Sequence, residues 1–78
     1  MSVTVLYFAS LRDAAGVGSE QVPRPDSLRD LYEALRLRHA LPLEAARLRV
    51  AVDGAFCDWD APVAEGAEVA FIPPVSGG

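Results

Sequence analysis

The sequence of 78 residues contains no lysine and only one cysteine. All seven basic residues are arginine, so no side-chain amine is available to accept an acyl group. Because Cys57 is the only cysteine, an internal disulfide is excluded. No apolar run approaches the roughly 20 residues of a membrane helix, and the N-terminus lacks the basic and apolar regions of a signal peptide. We therefore expect a cytoplasmic protein with no membrane partner.

The balance of charge excludes another class of partner. The formal net charge is −4 and the pI is about 4.7. Non-specific binding of nucleic acid requires a basic surface, so we expect no nucleic-acid partner. The length allows one domain, and a hydrophobic fraction of 51% suits a single core without disulfides.

A conventional active site is also missing from the sequence. His39, the only histidine, falls at the end of a predicted helix, where a cation complements the helix dipole. Cys57 has no neighbouring histidine or lysine to activate its thiol. No motif predicts a metal site, a phosphate loop or a serine nucleophile, so we expect no metal and no bound cofactor. We interpret the scattered acids as a solvated surface: Asp13, Glu20, Glu44, Glu65 and Glu68.

The residue pattern predicts five strands and one main helix. The strands are expected at residues 3–10, 18–22, 48–52, 55–59 and 68–72, with one helical turn at 11–16. The helix is expected at 27–39, because Ser27 can cap it and leucines then recur at helical spacing. Asp53-Gly54 is a strong signal for a two-residue hairpin turn.

Alternation within the first and last strands predicts which face meets the core. Phe8 and Ile72 fall on the face opposite to the inward set. One helix can cover one sheet face only, which leaves the other face available to a partner. The order of elements indicates an α+β fold, a β-grasp (ubiquitin-like) roll with a mixed sheet of four to five strands at residues 1–72. The predicted inward set is Val3, Val5, Tyr7, Val69 and Phe71.

The end of the chain combines stiffness with a narrow terminus. Pro73 and Pro74 stop strand pairing, so residues 73–78 are predicted to form a flexible tail with a reach of about 20 Å. Gly77 and Gly78 have no side chain and fit a channel too narrow for other residues. A free carboxylate there must be activated, typically as an acyl-adenylate, by a second protein that binds ATP. The alternative is a frayed terminus without a function.

Two segments resemble a known family. Residues 7–16, YFASLRDAAG, and residues 65–78, EGAEVAFIPPVSGG, are similar to the N- and C-terminal signatures of the molybdopterin synthase small subunit. That family consists of β-grasp sulfur carriers. The resemblance implies that an activating enzyme related to the ubiquitin E1 class uses ATP to adenylate Gly78. A persulfide sulfur donor then converts it to a thiocarboxylate. The sulfur passes to cyclic pyranopterin monophosphate in the large synthase subunit.

The resemblance also implies roles for individual residues. Pro74, Val75, Ser76 and Gly77 are expected to insert into the large subunit. An apolar patch for partner binding maps onto Phe8, Phe56 and Ile72. The catalytic side chains are expected in the large subunit, so the chain is not an enzyme on its own. Two positions depart from the family pattern at turns: Asp53, where Asn is frequent, and Ala67, where Asp is usual.

Other functions fit the same residues. A sulfur carrier for thiamin or for tRNA thiolation would have the same fold and tail. A ubiquitin-like binding module whose tail is never activated belongs to a different class. A thiol enzyme that uses Cys57 is a further alternative.

Overall fold

The computed structural model describes residues 1–74, so the predictions for Val75, Ser76, Gly77 and Gly78 lie outside the described residues. A 3-10 turn spans Ala45–Arg47. Neither helix of the described range has the length and apolar character needed to cross a membrane. The elements in chain order are β1 (Ser2–Tyr7), α1 (Ala9–Ala15), β2 (Ser19–Pro23), α2 (Leu28–His39), β3 (Arg49–Val52), β4 (Ala55–Cys57) and β5 (Glu68–Ile72).

The five strands form one mixed sheet in the order β2-β1-β5-β3-β4. The first and last strands of the chain, β1 and β5, lie side by side and are parallel. The other three pairs of neighbours are antiparallel. With α2 on one side of this sheet, the predicted ubiquitin-like β-grasp fold is confirmed.

Helix α2 begins and ends where its sequence signals predict. The Ser27 hydroxyl accepts a hydrogen bond from the backbone N–H of Asp30 at 3.0 Å, which satisfies one of the free donors of the first turn. Ala40 ends the helix in the left-handed conformation, and three basic side chains occupy the last turn. The buried stripe that faces the sheet consists of Leu28, Leu31, Tyr32 and Leu35.

The core lies between α2 and the inner face of the sheet. Phe71 is fully buried, with the ring of Tyr32 at 5.0 Å and that of Trp59 stacked at 5.8 Å between centroids. The Tyr32 hydroxyl donates to the carbonyl of Leu43 at 2.6 Å, so the buried phenol is satisfied. Burial of each large side chain contributes about 1.5–3 kcal/mol. The predicted inward residues of β1 and β5 are all buried, as alternation indicated.

The predicted hairpin between β3 and β4 is confirmed. Asp53 and Gly54 both have positive φ, 51° and 86°, as a type I′ turn requires. Asp53 also exchanges hydrogen bonds with Glu68, since its N–H donates to the Glu68 carbonyl and its Oδ1 accepts from the Glu68 N–H. Strand β4 is shorter than the predicted 55–59: it ends at Cys57, and Trp59 packs against the core instead.

The predicted first strand is too long at its C-terminal end. β1 ends at Tyr7, and α1 begins at Ala9 and runs to Ala15, longer than the single turn predicted. Phe8 is the N-cap of α1 and keeps an extended backbone, so the strand pattern continues into it. The helix buries Leu11 completely. Gly16 ends the helix with φ of 78°, as predicted.

Candidate functional site

The sheet face opposite α2, here called the outer face, carries a row of apolar side chains. Register pairs Phe56 of β4 with Ala51 of β3, and Ala51 with Ala70 of β5. Ala70 pairs in turn with Leu6 of β1. Because directly paired residues point to the same face, these four side chains form one continuous row across the sheet.

A second apolar pair lies beside this row, at the end of the sheet where the tail begins. Ile72 is the last residue of β5, and Phe8 follows Tyr7, which pairs with Phe71. Phe8 therefore lies next to Ile72. The row and this pair together form what we call the outer patch: Leu6, Phe8, Ala51, Phe56, Ala70 and Ile72.

The outer patch contains aromatic side chains that water reaches. Phe56 is 59% exposed and Phe8 is 45% exposed, while Ile72 is half-buried. Exposed apolar groups that form a contiguous patch mark an interaction surface more often than single exposed residues do. The structure thus brings Phe8, Phe56 and Ile72 to one face. Their contact with a partner stays a prediction.

The tail leaves the sheet at the edge of the outer patch. Strand β5 ends at Ile72, Pro73 is half-buried and Pro74 is exposed. Neither proline has a backbone N–H, so the pairing of β5 cannot continue through them. Of the residues predicted to insert into a partner, Pro74 alone belongs to the described range. It lies two residues after Ile72, the last patch residue in the chain.

One charged side chain belongs to this surface. Arg49 of β3 pairs with Ile72 across the β3–β5 ladder. Its guanidinium carbon lies 4.5 Å from the centroid of the Phe56 ring, within the range of a cation–π contact. Arg49 is not among the site residues predicted from the sequence. Its position on the outward side of a predicted strand was the available signal.

The surroundings of Cys57 within residues 1–74 give no sign of a reactive thiol. The thiol is half-buried, and its Sγ lies 3.9 Å from the carbonyl oxygen of Val50, the geometry of a weak S–H hydrogen bond. Residues 1–74 contain no group of three or more histidine, cysteine or acidic side chains that could hold a metal ion.

A polar cluster lies on the inner face at the end of the sheet where the tail begins, and the sequence pattern did not predict it. Glu20 Oε2 accepts from the Tyr7 hydroxyl and from His39 Nε2, each at 2.6 Å, and Arg38 lies 3.6 Å from the other oxygen. The interpretation of Glu20 as a solvated surface acid is wrong, since its side chain is only 17% exposed. The missed signal is alternation in β2, which places Glu20 on the same face as buried Val22.

The cluster changes the acidity of two of its members. Burial, followed by the hydrogen bond to Glu20, raises the pKa of Tyr7 above its ordinary value. Burial alone favours the neutral form of Glu20. The hydrogen bonds from Tyr7 and His39, with the charges of His39 and Arg38, outweigh it and lower the pKa of Glu20. The cluster therefore fixes a carboxylate between β2 and the end of α2.

The sequence comparisons now decide the family. A model of the ThiS family matches residues 5–78. The chain belongs to the ThiS family. It is 39% identical over 80 residues to the molybdopterin synthase sulfur carrier subunit of Escherichia coli, covering 97% of this chain and 99% of the relative. The resemblance expected from the two terminal signatures is thereby confirmed.

Solved structures with the same fold extend the comparison. A Pyrococcus furiosus protein assigned as subunit 1 of molybdopterin converting factor has a TM-score of 0.77, 32% identity, and coverage of 95% of this chain and 98% of its own. Small archaeal modifier protein 1 of Haloferax volcanii has a TM-score of 0.79 and 27% identity, with all of both chains covered. A complex of subunits 1 and 2 of molybdopterin-converting factor from Helicobacter pylori matches over all of both chains, with a TM-score of 0.71 and 22% identity.

Proposed function

We propose that this ThiS-family chain is the sulfur-carrying small subunit of a molybdopterin synthase and that it holds sulfur as a thiocarboxylate on Gly78. The observation that carries the proposal is the 39% identity, over nearly the whole length of both chains, to a molybdopterin synthase sulfur carrier subunit. The terminal Gly77-Gly78 and the outer patch, which includes Ile72, are the features of this chain that such a role uses.

The charging step takes place on another protein. An activating enzyme related to the ubiquitin E1 class binds ATP, and the Gly78 carboxylate displaces pyrophosphate to form an acyl-adenylate. The outer sulfur of a persulfide donor then attacks the acyl carbon and AMP leaves, which gives an acyl disulfide between Gly78 and the donor. A thiol reductant cleaves its S–S bond, becomes disulfide-bonded to the donor sulfur, and leaves a thiocarboxylate on Gly78. We expect this reaction in the cytoplasm, where ATP is available. The carrier contributes a narrow, accessible carboxylate and binds no cofactor itself.

Delivery uses the outer patch and the tail together. Phe8, Phe56 and Ile72 dock on the large subunit while Pro74, Val75, Ser76 and Gly77 enter its active site. Sulfur then passes from Gly78 to cyclic pyranopterin monophosphate, with catalytic side chains from the large subunit. Subunits 1 and 2 of the Helicobacter pylori factor form a complex, which supports a two-subunit arrangement. The apolar character and exposure of the patch support the docking surface.

Intact mass spectrometry tests the proposal. The carrier is incubated with an activating enzyme, ATP and a persulfide donor, then mixed with the large subunit and cyclic pyranopterin monophosphate. We expect a mass gain equal to one oxygen replaced by sulfur, located on Gly78 by fragmentation, followed by its loss as molybdopterin forms. A chain with Gly78 deleted is the control and should fold normally but transfer nothing. Product formation by the deleted chain would refute the proposal.

A role as a protein modifier is the second candidate. It is favoured by the 27% identity to small archaeal modifier protein 1 over all of both chains. Activation of Gly78 would be the same, but the acyl group would pass to an amine of another protein. This chain has no lysine, so it could not be extended through its own side chains. Conjugates of higher mass, with no sulfur-bearing carrier, would favour this function. The same mass experiment with thiamin or tRNA sulfur acceptors separates those alternatives.

A further inference from the structure

The outer face is electrically asymmetric along the strands. Arg49 lies at the end where the tail begins, since it pairs with Ile72, the last residue of β5. Glu68 is the first residue of β5 and lies at the opposite end of the same face, about 13 Å away for four residues of strand. Asp53, hydrogen-bonded to Glu68, occupies that far end too. The face thus has a cation near the tail, apolar side chains in the middle and carboxylates far from the tail.

Arg49 is held in place by its neighbour. The guanidinium lies over the ring of Phe56 at 4.5 Å, and Arg49 pairs with Ile72 in the adjacent strand. The five N–H donors of a guanidinium that lies over a ring face are still available to an acceptor. An arginine restrained in this way loses less rotamer freedom when it forms an ion pair than a free surface side chain does.

Arg49 has no carboxylate partner within residues 1–74. The ion pairs of that part of the chain involve Arg36, Arg38 and His39. Arg49 is exposed, so water solvates it in the free carrier. A partner that covers Phe56 and Ile72 removes that water, and a buried cation without a counter-charge is strongly unfavourable. A partner that buries Arg49 must therefore supply an acceptor at this position.

We propose that the large synthase subunit presents a carboxylate to Arg49 at the edge of the apolar surface that receives Phe8, Phe56 and Ile72. This inference rests on the proposed function and names the chemistry of its docking partner. The ion pair gives the contact a direction, because a carrier turned by half a rotation would bring Glu68 and Asp53 against the same carboxylate. Like charges brought together in an interface suppress the wrong arrangement. The pair thereby fixes the carrier so that the tail points into the active site.

Charge-reversal variants test the inference. Binding of the large subunit from the same organism is measured by titration calorimetry for the wild-type chain, Arg49→Glu, Arg49→Gln and Arg24→Glu. Arg24 is exposed just after β2, outside the outer patch, so its reversal makes the same change in net charge elsewhere. We expect Arg49→Glu to weaken binding about tenfold or more and Arg24→Glu to change it less than about twofold. Added salt should weaken the wild-type complex more than the Arg49→Gln complex.

The outcomes separate the inference from the proposed function. Binding of Arg49→Glu within about twofold of wild type, or an equal loss for Arg24→Glu, overturns the ion pair while sulfur transfer by the wild-type chain still supports the function. If the wild-type chain does not bind the large subunit at all, both the ion pair and the proposed function are refuted. Thermal melts of each variant check that the exposed substitutions leave the fold intact.

Discussion

Phe71 and Phe56 are the same residue type on opposite faces of one sheet. Phe71 has no exposed surface and contacts the rings of Tyr32 and Trp59. Phe56 is 59% exposed, and its ring carries the guanidinium of Arg49. The inner face is closed by a helix of this chain, whereas the outer face is equally continuous but stays open. Burial alone therefore distinguishes apolar residues that stabilise the fold from those available for recognition.

Replacement of each phenylalanine by alanine should separate the two faces most clearly. Phe71→Ala leaves a cavity in the core, and we expect a loss of about 3–5 kcal/mol in the free energy of unfolding. Phe56→Ala removes a side chain that is mostly in water, so we expect a change below about 1 kcal/mol. Urea titrations followed by circular dichroism measure both. Equal losses for the two variants would contradict the division between the faces.

Affinity for the large subunit should depend on the outer-face aromatic residues, in contrast to the free energy of unfolding. We expect Phe8→Ala and Phe56→Ala each to weaken association with the large subunit by about 2 kcal/mol, near thirtyfold, because exposed aromatic side chains act as anchors in interfaces. Leu37→Ala is the matched control, since Leu37 is 87% exposed on α2, away from the outer face. Surface plasmon resonance gives the affinities. A loss of affinity for Leu37→Ala as large as that for Phe56→Ala would show that the outer patch is not the binding surface.

The polar cluster on the inner face should make stability depend on pH. Of the three effects predicted here, on unfolding, on binding and on pH dependence, this one is expected to be the smallest. The pKa of Glu20 is lowered in the folded state, so its contribution is present above the ordinary value of about 4 and is lost as pH falls through the lowered pKa. The pKa of Tyr7 is raised, so its contribution is present below about pH 10 and is lost as pH rises further.

Melting temperatures from pH 3 to pH 11 measure both limbs. Glu20→Gln should flatten the acid limb, and Tyr7→Phe should flatten the alkaline limb. The outer-face variant Phe56→Ala is the control and should keep both limbs. An acid limb of the same steepness in Glu20→Gln and wild type would mean that the cluster contributes nothing to the pH response.

Much of the fold was predictable because its local signals agree. The cap at Ser27, the leucine spacing in α2 and the Asp53-Gly54 turn each specify their element through contacts between near neighbours. The boundary at Phe8 was not predictable, because its extended backbone and apolar side chain continue the strand pattern after the strand has ended.

Some parts of the candidate site were also predictable from local sequence patterns, and others were not. Phe8 and Ile72 could be assigned to the outer face from alternation alone, and register in the sheet puts Phe56 with them. The contact between Glu20 and His39 joins side chains 19 positions apart in the sequence, which no local pattern indicates. The Arg49–Phe56 contact likewise depends on pairing between β3 and β4.

The central pairing of β1 with β5 has a consequence for how the protein matures. Thr4 pairs with Glu68 and Tyr7 with Phe71, so the middle of the sheet requires both ends of the chain. Such non-local pairing forms slowly, because the entropy of closing the intervening loop must be overcome first. A nascent chain cannot complete its sheet until β5 has been synthesised. A truncated product lacks the strand that leads to the tail as well as the partner that β1 needs. Completion of the sheet is thus coupled to synthesis, because the central strand β5 follows the other four strands in the chain.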